Sequence, residues 1–369
     1  MIFHLTSKKP VLIIGNGFCF ENCRQIIQDF INKTHIPVLT TMNGVDLVQG
    51  KYHFGFIGTY GNRVANMIVS SCDLIISIGA RLGLRQIGHD NNLFAPNAKL
   101  IRADIDQNEL SRTIKEDEED YCMDSRSFLE LLMNEPIPDY SKWMNACVKV
   151  RELLKNCDDV DGNICIKKIN EFIPDNSIVA VDVGQNQCWA AQSLNLSGAN
   201  SRILIAGGYG SMGCGLPFAI GASFSKKNAP IFCITGDGGL QMNIQELEVL
   251  HRDNLPIKIF ILNNRALGKI SEIQAKSYNG RFAQTNFESG YSTPNFVKIG
   301  KAYGIRSIPI NSLDELQKYK EWFIDLEPTL FDIHLPEDTL LIPKISWEDG
   351  VIKPELDSKL QQKILELIG

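Results

Sequence analysis

The sequence predicts an α/β fold with two doubly wound parallel-sheet domains. Short apolar runs, of the length that buried strands have, recur along the 369 residues. Stretches long enough for helices separate these runs, and glycines follow the ends of many of them. This alternation of strand and helix, with glycine turns at strand ends, is typical of open parallel sheets covered by helices on both faces.

The first domain is predicted over residues 1–133. Its strands are predicted at residues 11–14, 74–78 and 100–105. The first of them leads into Gly15-Asn16-Gly17, which would begin a dinucleotide-binding GxGxxG motif only if position 20 were glycine. Phe20 stands there, so we interpret these glycines as a tight turn between a strand and a helix.

A linker with a connecting helix is predicted over residues 134–161, because Pro136 and Pro138 interrupt regular structure ahead of a helical stretch. The second domain is predicted over residues 162–345, and residues 346–369 are predicted to be a C-terminal tail containing an amphipathic helix. The strands of the second domain are predicted at residues 178–183, 203–206, 231–235, 257–262 and 329–335. Its glycine-rich turns again follow strands, at the edge where open parallel sheets bind ligands.

Composition and charge exclude several classes of protein. A net charge of −6 provides no basic field for nucleic acid, so we expect no nucleic-acid partner. No apolar stretch is long enough to span a membrane, and the first residues do not form a secretory signal. The ten cysteines are scattered without a CxxC motif, which is typical of buried thiols in a reduced cytoplasmic protein. The acidic run at residues 116–120 is predicted to be a solvated helix end.

The segment from Gly236 to Asn264 carries the most specific functional pattern. It opens with Gly-Asp-Gly directly after one apolar run and closes with Asn-Asn directly after another. Asp237 and the backbone N–H groups around it would stand at a helix N-terminus, where phosphate groups bind well. The Asp237 carboxylate and the Asn264 amide oxygen are ligands of the kind that Mg²⁺ takes. One helical face between the two elements is formed by Leu240, Ile244, Leu247 and Leu250.

This combination resembles the cofactor signature of thiamine diphosphate enzymes, in which Gly-Asp-Gly is followed at a fixed distance by Asn-Asn. Residues 182–187 and 207–213 resemble cofactor loops of acetolactate synthase, and residues 58–62 and 79–81 resemble parts of its middle domain. The resemblance extends from about Lys9 to Pro343. It implies the middle α/β domain and the C-terminal, diphosphate-binding domain of an acetolactate synthase-like enzyme.

The resemblance also implies a role for each matched residue. Asp237, Asn264 and the backbone carbonyl of Ala266 are the expected Mg²⁺ ligands. Met212 is expected to bend thiamine diphosphate, and the carbonyl of Gly210 is expected to accept a hydrogen bond from its amino group. The other residues expected to bind the cofactor are Gln185, Asn186, Gly236, Gly238 and Gly239.

One departure from the family is large. Acetolactate synthase-like enzymes have an N-terminal domain that binds the aminopyrimidine ring and supplies a glutamate that activates the cofactor. No part of this sequence matches that domain, so no catalytic glutamate is assigned in this chain. We therefore expect a pyrimidine-binding domain from elsewhere and a homo- or hetero-oligomer. Three interpretations stay open: a carboligase of 2-keto acids, a 2-keto acid decarboxylase subunit, and an inactive fragment that binds only the cofactor.

The substrate is less well defined. Ile273 stands where acetolactate synthase has a large aromatic residue at the mouth of the substrate site, and Lys269 replaces an apolar residue. Arg85 is a second candidate for contact with a substrate carboxylate, or with a flavin phosphate. These differences favour an acceptor other than pyruvate or 2-ketobutyrate. FAD, which the middle domain binds in acetolactate synthase, is left open.

Overall fold

The structure is a computed structural model, and it describes residues 7–20 and 22–369. Its residues divide into two units. Unit 1 consists of the described residues up to Asp158 together with Ile342–Gly369, and unit 2 consists of Asp159–Leu341. Residues 1–6 of the predicted first domain lie outside the described residues.

Unit 1 is built on a six-stranded sheet whose paired strands are all parallel. The strands are β1 (Pro10–Ile14), β2 (Val38–Thr40), β3 (His53–Phe56), β4 (Leu74–Ile78), β5 (Lys99–Asp104) and β6 (Glu118–Cys122). They lie in the order β3-β2-β1-β4-β5-β6. This is the order of a doubly wound sheet, with β1 and β4 at the point where the direction of winding reverses.

The helices of unit 1 follow its strands and pack around the sheet. They are α1 (Cys23–Thr34), α2 (Arg63–Ser71), α3 (Leu84–Ile87), α4 (Gln107–Leu110), α5 (Ser125–Asn134) and α6 (Ser141–Leu153). The C-terminal segment adds a small antiparallel pair, β13 (Lys344–Ile345) and β14 (Ile352–Lys353), and the last helix, α14 (Ser358–Ile368). Helix α14 packs against α6, so the residues predicted to be a tail belong to this unit.

Unit 2 also contains a six-stranded sheet of parallel pairs. Its strands are β7 (Ile178–Val181), β8 (Arg202–Ile205), β9 (Ile231–Gly236), β10 (Lys258–Asn263), β11 (Arg306–Ile310) and β12 (Thr329–His334). They lie in the order β11-β12-β10-β9-β7-β8. The predicted class, two α/β domains with parallel sheets, is therefore confirmed.

The helices of unit 2 alternate with its strands. They are α7 (Asp161–Asn170), α8 (Gln185–Ser193), α9 (Gly215–Ser225), α10 (Asp237–Met242), α11 (Leu247–Arg252), α12 (Gly268–Ser277) and α13 (Phe296–Ala302). The central strands are apolar on both faces, and β10 is buried along its whole length. Such strands are expected where helices cover both faces of a parallel sheet. None of the helices in the described part of the chain has both the length and the apolar composition needed to cross a bilayer.

Three sequence-based expectations are wrong. The cysteines are not all buried, since Cys19, Cys122 and Cys157 are exposed. The acidic run at residues 116–120 is not a helix end, because Glu118 begins the edge strand β6. Its carboxylate accepts hydrogen bonds from the backbone N–H groups of Ile114 and Lys115, at 2.9 and 3.1 Å, and lies 3.5 Å from the buried Arg102. These contacts stabilise a strand that composition alone does not favour, since acidic residues are depleted in strands.

The helix predicted from Leu240 to Leu250 is also interrupted. Helix α10 ends at Met242, a 3₁₀ turn covers Ile244–Glu246, and α11 begins at Leu247. Asn243 leaves the helical conformation, and its side-chain amide donates to the carbonyl of Gly213 at 2.8 Å. Asn243 thus bonds to the loop at Gly213, and the helix is interrupted at this residue. Asn side chains commonly compete with helical hydrogen bonding in this way.

Candidate functional site at the carboxyl edge of the second sheet

The candidate site lies where β7, β9 and β10 end. These three strands are neighbours in the sheet of unit 2, so the turns that follow them meet at one edge. Asp182 follows β7, Asp237 follows β9, and Asn264 follows β10. In open parallel sheets this is the edge at which ligands bind.

Asp237 is the first residue of α10, and only 2% of it is exposed. Its Oδ1 accepts a hydrogen bond from the backbone N–H of Gly238 at 2.8 Å, whereas its buried Oδ2 accepts none from the described residues. The Tyr291 hydroxyl is a close neighbour, and burial together with the Asp237 carboxylate raises the pKa of Tyr291. Burial raises the pKa of Asp237 to about 7, although backbone N–H groups of Gly238, Arg265 and Ala266 act in the opposite direction. A buried carboxylate oxygen without a donor fits a bound cation, which would supply the missing partner.

The turn after β10 lies beside this carboxylate. Arg265 adopts a left-handed conformation with φ of +55°, which is uncommon for a residue with a side chain. The backbone N–H groups of Arg265 and Ala266 are close enough to Asp237 to lower its pKa. The buried Asn264 donates from its amide to Gln185 Oε1 at 3.2 Å. The structure thus places the three expected cation ligands on adjoining turns.

A cation at this edge would depend on one carboxylate and on neutral oxygens. Within residues 7–20 and 22–369, no group of three or more His, Cys, Asp or Glu side chains is arranged to hold a metal ion. Mg²⁺ tolerates such a ligand set, because it prefers oxygen ligands and usually completes its shell with phosphate oxygens and water.

The two expected diphosphate donors begin α8, and both amides are engaged with the protein. Gln185 donates to the backbone carbonyl of Thr339 at 3.0 Å, and Asn186 donates to the backbone carbonyl of Asp182 at 2.7 Å. Gly184 precedes them with φ of +147°, a conformation that essentially only glycine adopts. The Asn186 amide oxygen faces Gly236, where an added Cβ would lie 3.4 Å away.

The glycines after Asp237 leave space for neighbouring side chains. A Cβ on Gly238 would lie 2.6 Å from Leu267 Cδ2 and 3.5 Å from Met212 Cε. A Cβ on Gly239 would lie 2.5 Å from Asp182 Oδ2, closer than real contacts allow. The expected wedge residue, Met212, is therefore next to the glycine turn that begins α10.

Asp182 is a central residue of the site that the sequence analysis did not single out. Its carboxylate accepts hydrogen bonds from the backbone N–H of Val183 at 2.6 Å and of Gly213 at 2.9 Å. Thr235 Oγ1 on β9 donates to it at 3.1 Å. Burial raises its pKa, and these donors oppose that rise. The signal was its position, an aspartate directly after a buried strand and ahead of Gly184.

The loop at residues 207–213 is open on the side of Gly208 and Gly210. A Cβ at either glycine would meet no atom within 4 Å, and Gly210 has φ of +67°. Between them the side chain of Tyr209 is fully exposed. The loop is thus attached at Gly213, through Asp182 and Asn243, and projects from there.

The candidate substrate residues lie in different units. Arg85 is an exposed residue of α3 in unit 1, and its backbone carbonyl accepts from the N–H of Thr59 at 2.8 Å. Lys269 lies in the first turn of α12 in unit 2, where its Nζ is 3.7 Å from a carboxylate oxygen of Glu272. Ile273 is half exposed on the same helix, which has no buried residue.

The Gly15 turn of unit 1 has a packing role. A Cβ on Gly15 would lie 2.1 Å from the carbonyl oxygen of Gly79, because the turns after β1 and β4 pack directly against each other. A 3₁₀ turn, Asn16–Phe18, follows, and α1 begins only at Cys23. A 3₁₀ turn therefore stands where a dinucleotide-binding fold has a helix N-terminus directly after the glycine turn.

Family models and curated relatives match most of the chain. Residues 5–132 match the model described as thiamine pyrophosphate enzyme, central domain, and residues 182–333 match the C-terminal TPP binding domain of the same enzymes. The acetolactate synthase isozyme 2 large subunit of Escherichia coli is 30% identical over 90% of this chain. The acetolactate synthase large subunit of Lactococcus lactis is 31% identical over 92%, and the probable one of Methanocaldococcus jannaschii is 32% identical over 95%. The chain spans 60%, 60% and 64% of these three relatives.

Proposed function

Because the chain belongs to the thiamine pyrophosphate enzymes, of which it carries the central and the C-terminal cofactor-binding domains, we propose that unit 2 holds thiamine diphosphate through Mg²⁺. The proposed reaction is decarboxylation of a 2-keto acid followed by carboligation of the remaining fragment to a second carbonyl compound. The observation that carries this proposal is the buried Asp237 Oδ2, which accepts no hydrogen bond from residues 7–20 and 22–369, at the strand edge where Asn264 and Ala266 also lie.

The residues of the chain would act by binding and orientation. Asp237, Asn264 and the carbonyl of Ala266 would hold Mg²⁺, and the N-terminus of α10 would face the diphosphate. Gln185 and Asn186 would contact the diphosphate after exchanging their present carbonyl partners. Met212, next to Gly238, would support the bent cofactor. When bound, the thiazolium ring supplies an electron sink for decarboxylation, which no side chain provides.

Carboligation is favoured over simple decarboxylation by the relatives, whose names are those of acetolactate synthase subunits. We propose that a further domain or subunit binds the aminopyrimidine ring and supplies the activating glutamate. The matches of this chain, residues 5–132 and 182–333, are to the central and C-terminal models. Where a separate subunit supplies these parts, the cofactor would lie between subunits and the active form would be an oligomer.

The binding proposal is tested by isothermal titration of thiamine diphosphate and Mg²⁺ into the purified chain, beside Asp237→Asn. Asp253→Asn, which changes an exposed carboxylate paired with Arg252, is the matched control. We expect binding by the wild type and the control, and none by Asp237→Asn. Binding that is equal in all three proteins would refute the assignment of Asp237. Pyruvate consumption by the same samples then separates a cofactor-binding chain from a complete enzyme.

We also propose that Lys269 contacts the acceptor, because it lies in the first turn of α12, directly after the turn that carries Asn264. The measurement is acceptor preference of the active complex with Lys269→Met. Lys276→Met on the exposed side of the same helix is the control. We expect the first variant alone to change the ratio of kcat/KM values between acceptors. Rapid formation of acetolactate from pyruvate, with unchanged preference in Lys269→Met, would refute the proposal.

A further inference from the structure

Asn263, the last residue of β10, connects two neighbouring parts of the candidate site. It is 4% exposed, and its amide makes two hydrogen bonds. Nδ2 donates to Asp332 Oδ1 at 2.9 Å, and Oδ1 accepts from the backbone N–H of Arg265 at 3.3 Å. The second bond closes an Asx turn around Asn264.

Asp332 determines which way the Asn263 amide points. The Asn263 NH₂ group is a donor and the Asp332 Oδ1 atom accepts from it, so the amide presents its nitrogen to Asp332. Its oxygen is then directed to the Arg265 N–H. Asp332 is itself fixed on β12, 4% exposed, with His334 Nε2 3.4 Å from its other oxygen. The orientation of one buried amide is thus fixed by a carboxyl group on the next strand.

The turn that receives this hydrogen bond needs restraint. Arg265 has φ of +55°, and a left-handed conformation costs a residue with a side chain free energy that glycine does not lose. Asn264 and Ala266, the proposed cation ligands, stand on either side of Arg265. Any relaxation of Arg265 towards an ordinary conformation would move both of them.

We propose that Asp332 is a positioning residue for the cation site. Through Asn263 it holds the left-handed turn at Arg265 and so fixes Asn264 and Ala266. The inference about the turn rests on the structure alone, whereas its consequence for the cation rests on the proposed function. In this arrangement Asp332 acts on Asn264 and Ala266 through its hydrogen bond from the Asn263 amide.

Hydrogen exchange of the full chain without cofactor tests the turn directly. In Asp332→Asn the fixed orientation of the Asn263 amide is lost, so the Arg265 amide hydrogen should exchange faster by about tenfold. Asp325→Asn is the matched control, because Asp325 pairs with Lys258 and Arg306 and lies just before β12 begins, far along the strand from Asp332. Unchanged exchange at Arg265, or an equal increase in the control, would overturn the proposal. Asp332→Ala provides a second, stronger perturbation.

Cation affinity tests the consequence, with Mn²⁺ and thiamine diphosphate as the probe and electron paramagnetic resonance as the readout. Asp332→Asn should weaken Mn²⁺ binding by about tenfold, as substitutions behind metal ligands commonly do. In an Arg265→Gly background the turn needs no restraint, so Asp332→Asn should weaken Mn²⁺ binding by less than about twofold. An equal loss in both backgrounds would refute a role through the turn. Absence of Mn²⁺ binding by the wild type would refute the proposed function, and the exchange experiment would still decide the role of Asp332 in the turn.

Discussion

The carboxylate of Asp182 accepts hydrogen bonds from the backbone N–H of Gly213, with N···O distances of 2.9 and 3.1 Å to its two oxygens. The bond joins the turn after β7 to the glycine loop that follows β8. Because Thr235 on β9 donates to the same carboxylate, one side chain holds three adjacent segments in place.

Asp182→Ala should therefore lower the free energy of unfolding by about 3 kcal/mol, since it leaves several buried donors without an acceptor. Asp182→Asn keeps the shape of the side chain and one acceptor oxygen, so it should lower the free energy of unfolding by less. The measurement is urea unfolding, beside Asp314→Asn as a substitution at an acidic residue of the 3₁₀ segment Leu313–Phe323. A loss in Asp182→Ala no larger than in that control would contradict the role given to the carboxylate.

Gly239→Ala should be strongly unfavourable for a related reason. The added Cβ would lie 2.5 Å from Asp182 Oδ2 and 2.9 Å from Thr235 Oγ1, both of them buried. We expect a loss of about 2 kcal/mol in unfolding free energy from this overpacking. Gly221→Ala is the matched control, because Gly221 lies within α9 and its Cβ would meet nothing within 4 Å. The free energy of unfolding of Gly221→Ala should rise by about 0.5–1 kcal/mol, because alanine has a higher helix propensity than glycine.

The pKa of Asp237 predicts how stability depends on pH in the absence of divalent cations. The folded chain holds the proton up to about pH 7, whereas the unfolded chain releases it near its ordinary value of 3.8. The protonated Asp237 thus contributes to the free energy of unfolding at low pH. This contribution decreases, by about 1.4 kcal/mol per pH unit, as pH rises between these values. Urea unfolding in EDTA should show this slope in the difference between wild type and Asp237→Asn. A difference that does not change with pH would contradict the raised pKa.

Cation binding should have the opposite pH dependence. Mg²⁺ requires the carboxylate, so it competes with the proton that Asp237 holds below about pH 7. The apparent affinity for Mg²⁺, measured by titration with thiamine diphosphate present, should fall by about tenfold for each pH unit below that value. Above it the affinity should level off. A pH-independent affinity between pH 5 and 7 would argue against Asp237 as a ligand.

Arg63 provides a prediction for unit 1. Its guanidinium is 4% exposed, donates to both oxygens of Asp158 at 2.6–3.1 Å, and also reaches the carbonyl of Pro354 at 2.8 Å. Arg63→Lys keeps the charge and loses the forked geometry, so unfolding free energy should fall by about 3 kcal/mol. Arg126→Lys, in an exposed pair with Glu130, should change it by less than about 0.5 kcal/mol. Equal effects would show that the fork is dispensable.

The central strands were predictable because burial on both faces requires continuous apolar sequence. The runs that form β1, β4, β9 and β10 consist mostly of apolar residues. The strands that were missed lie towards the sheet edges or are short. β11 contains Pro309 and β6 begins with acidic residues, and such strands form only because a neighbour supplies their partners.

The candidate site also contains residues that the sequence predicts and residues that it does not. The positions of Asp237 and Asn264 at neighbouring strand ends were predictable, since a carboxylate and an amide directly after buried strands form a local pattern. The links through Asp182 to Gly213 and through Asp332 to Asn263 join residues 31 and 69 positions apart. No local pattern encodes those pairs, because each depends on strand order. Assignment of the ligands themselves stays a prediction.

Unit 1 is discontinuous in the chain, because Asp159–Leu341 is inserted between its two parts. During synthesis the strands of the first sheet leave the ribosome before unit 2, but α14, which packs against α6, leaves after it. Unit 2 is complete before that happens. Unit 2 can therefore be completed before unit 1, which needs residues 342–369. Deletions within residues 342–369 should accordingly damage unit 1, although most of that unit precedes unit 2 in the sequence.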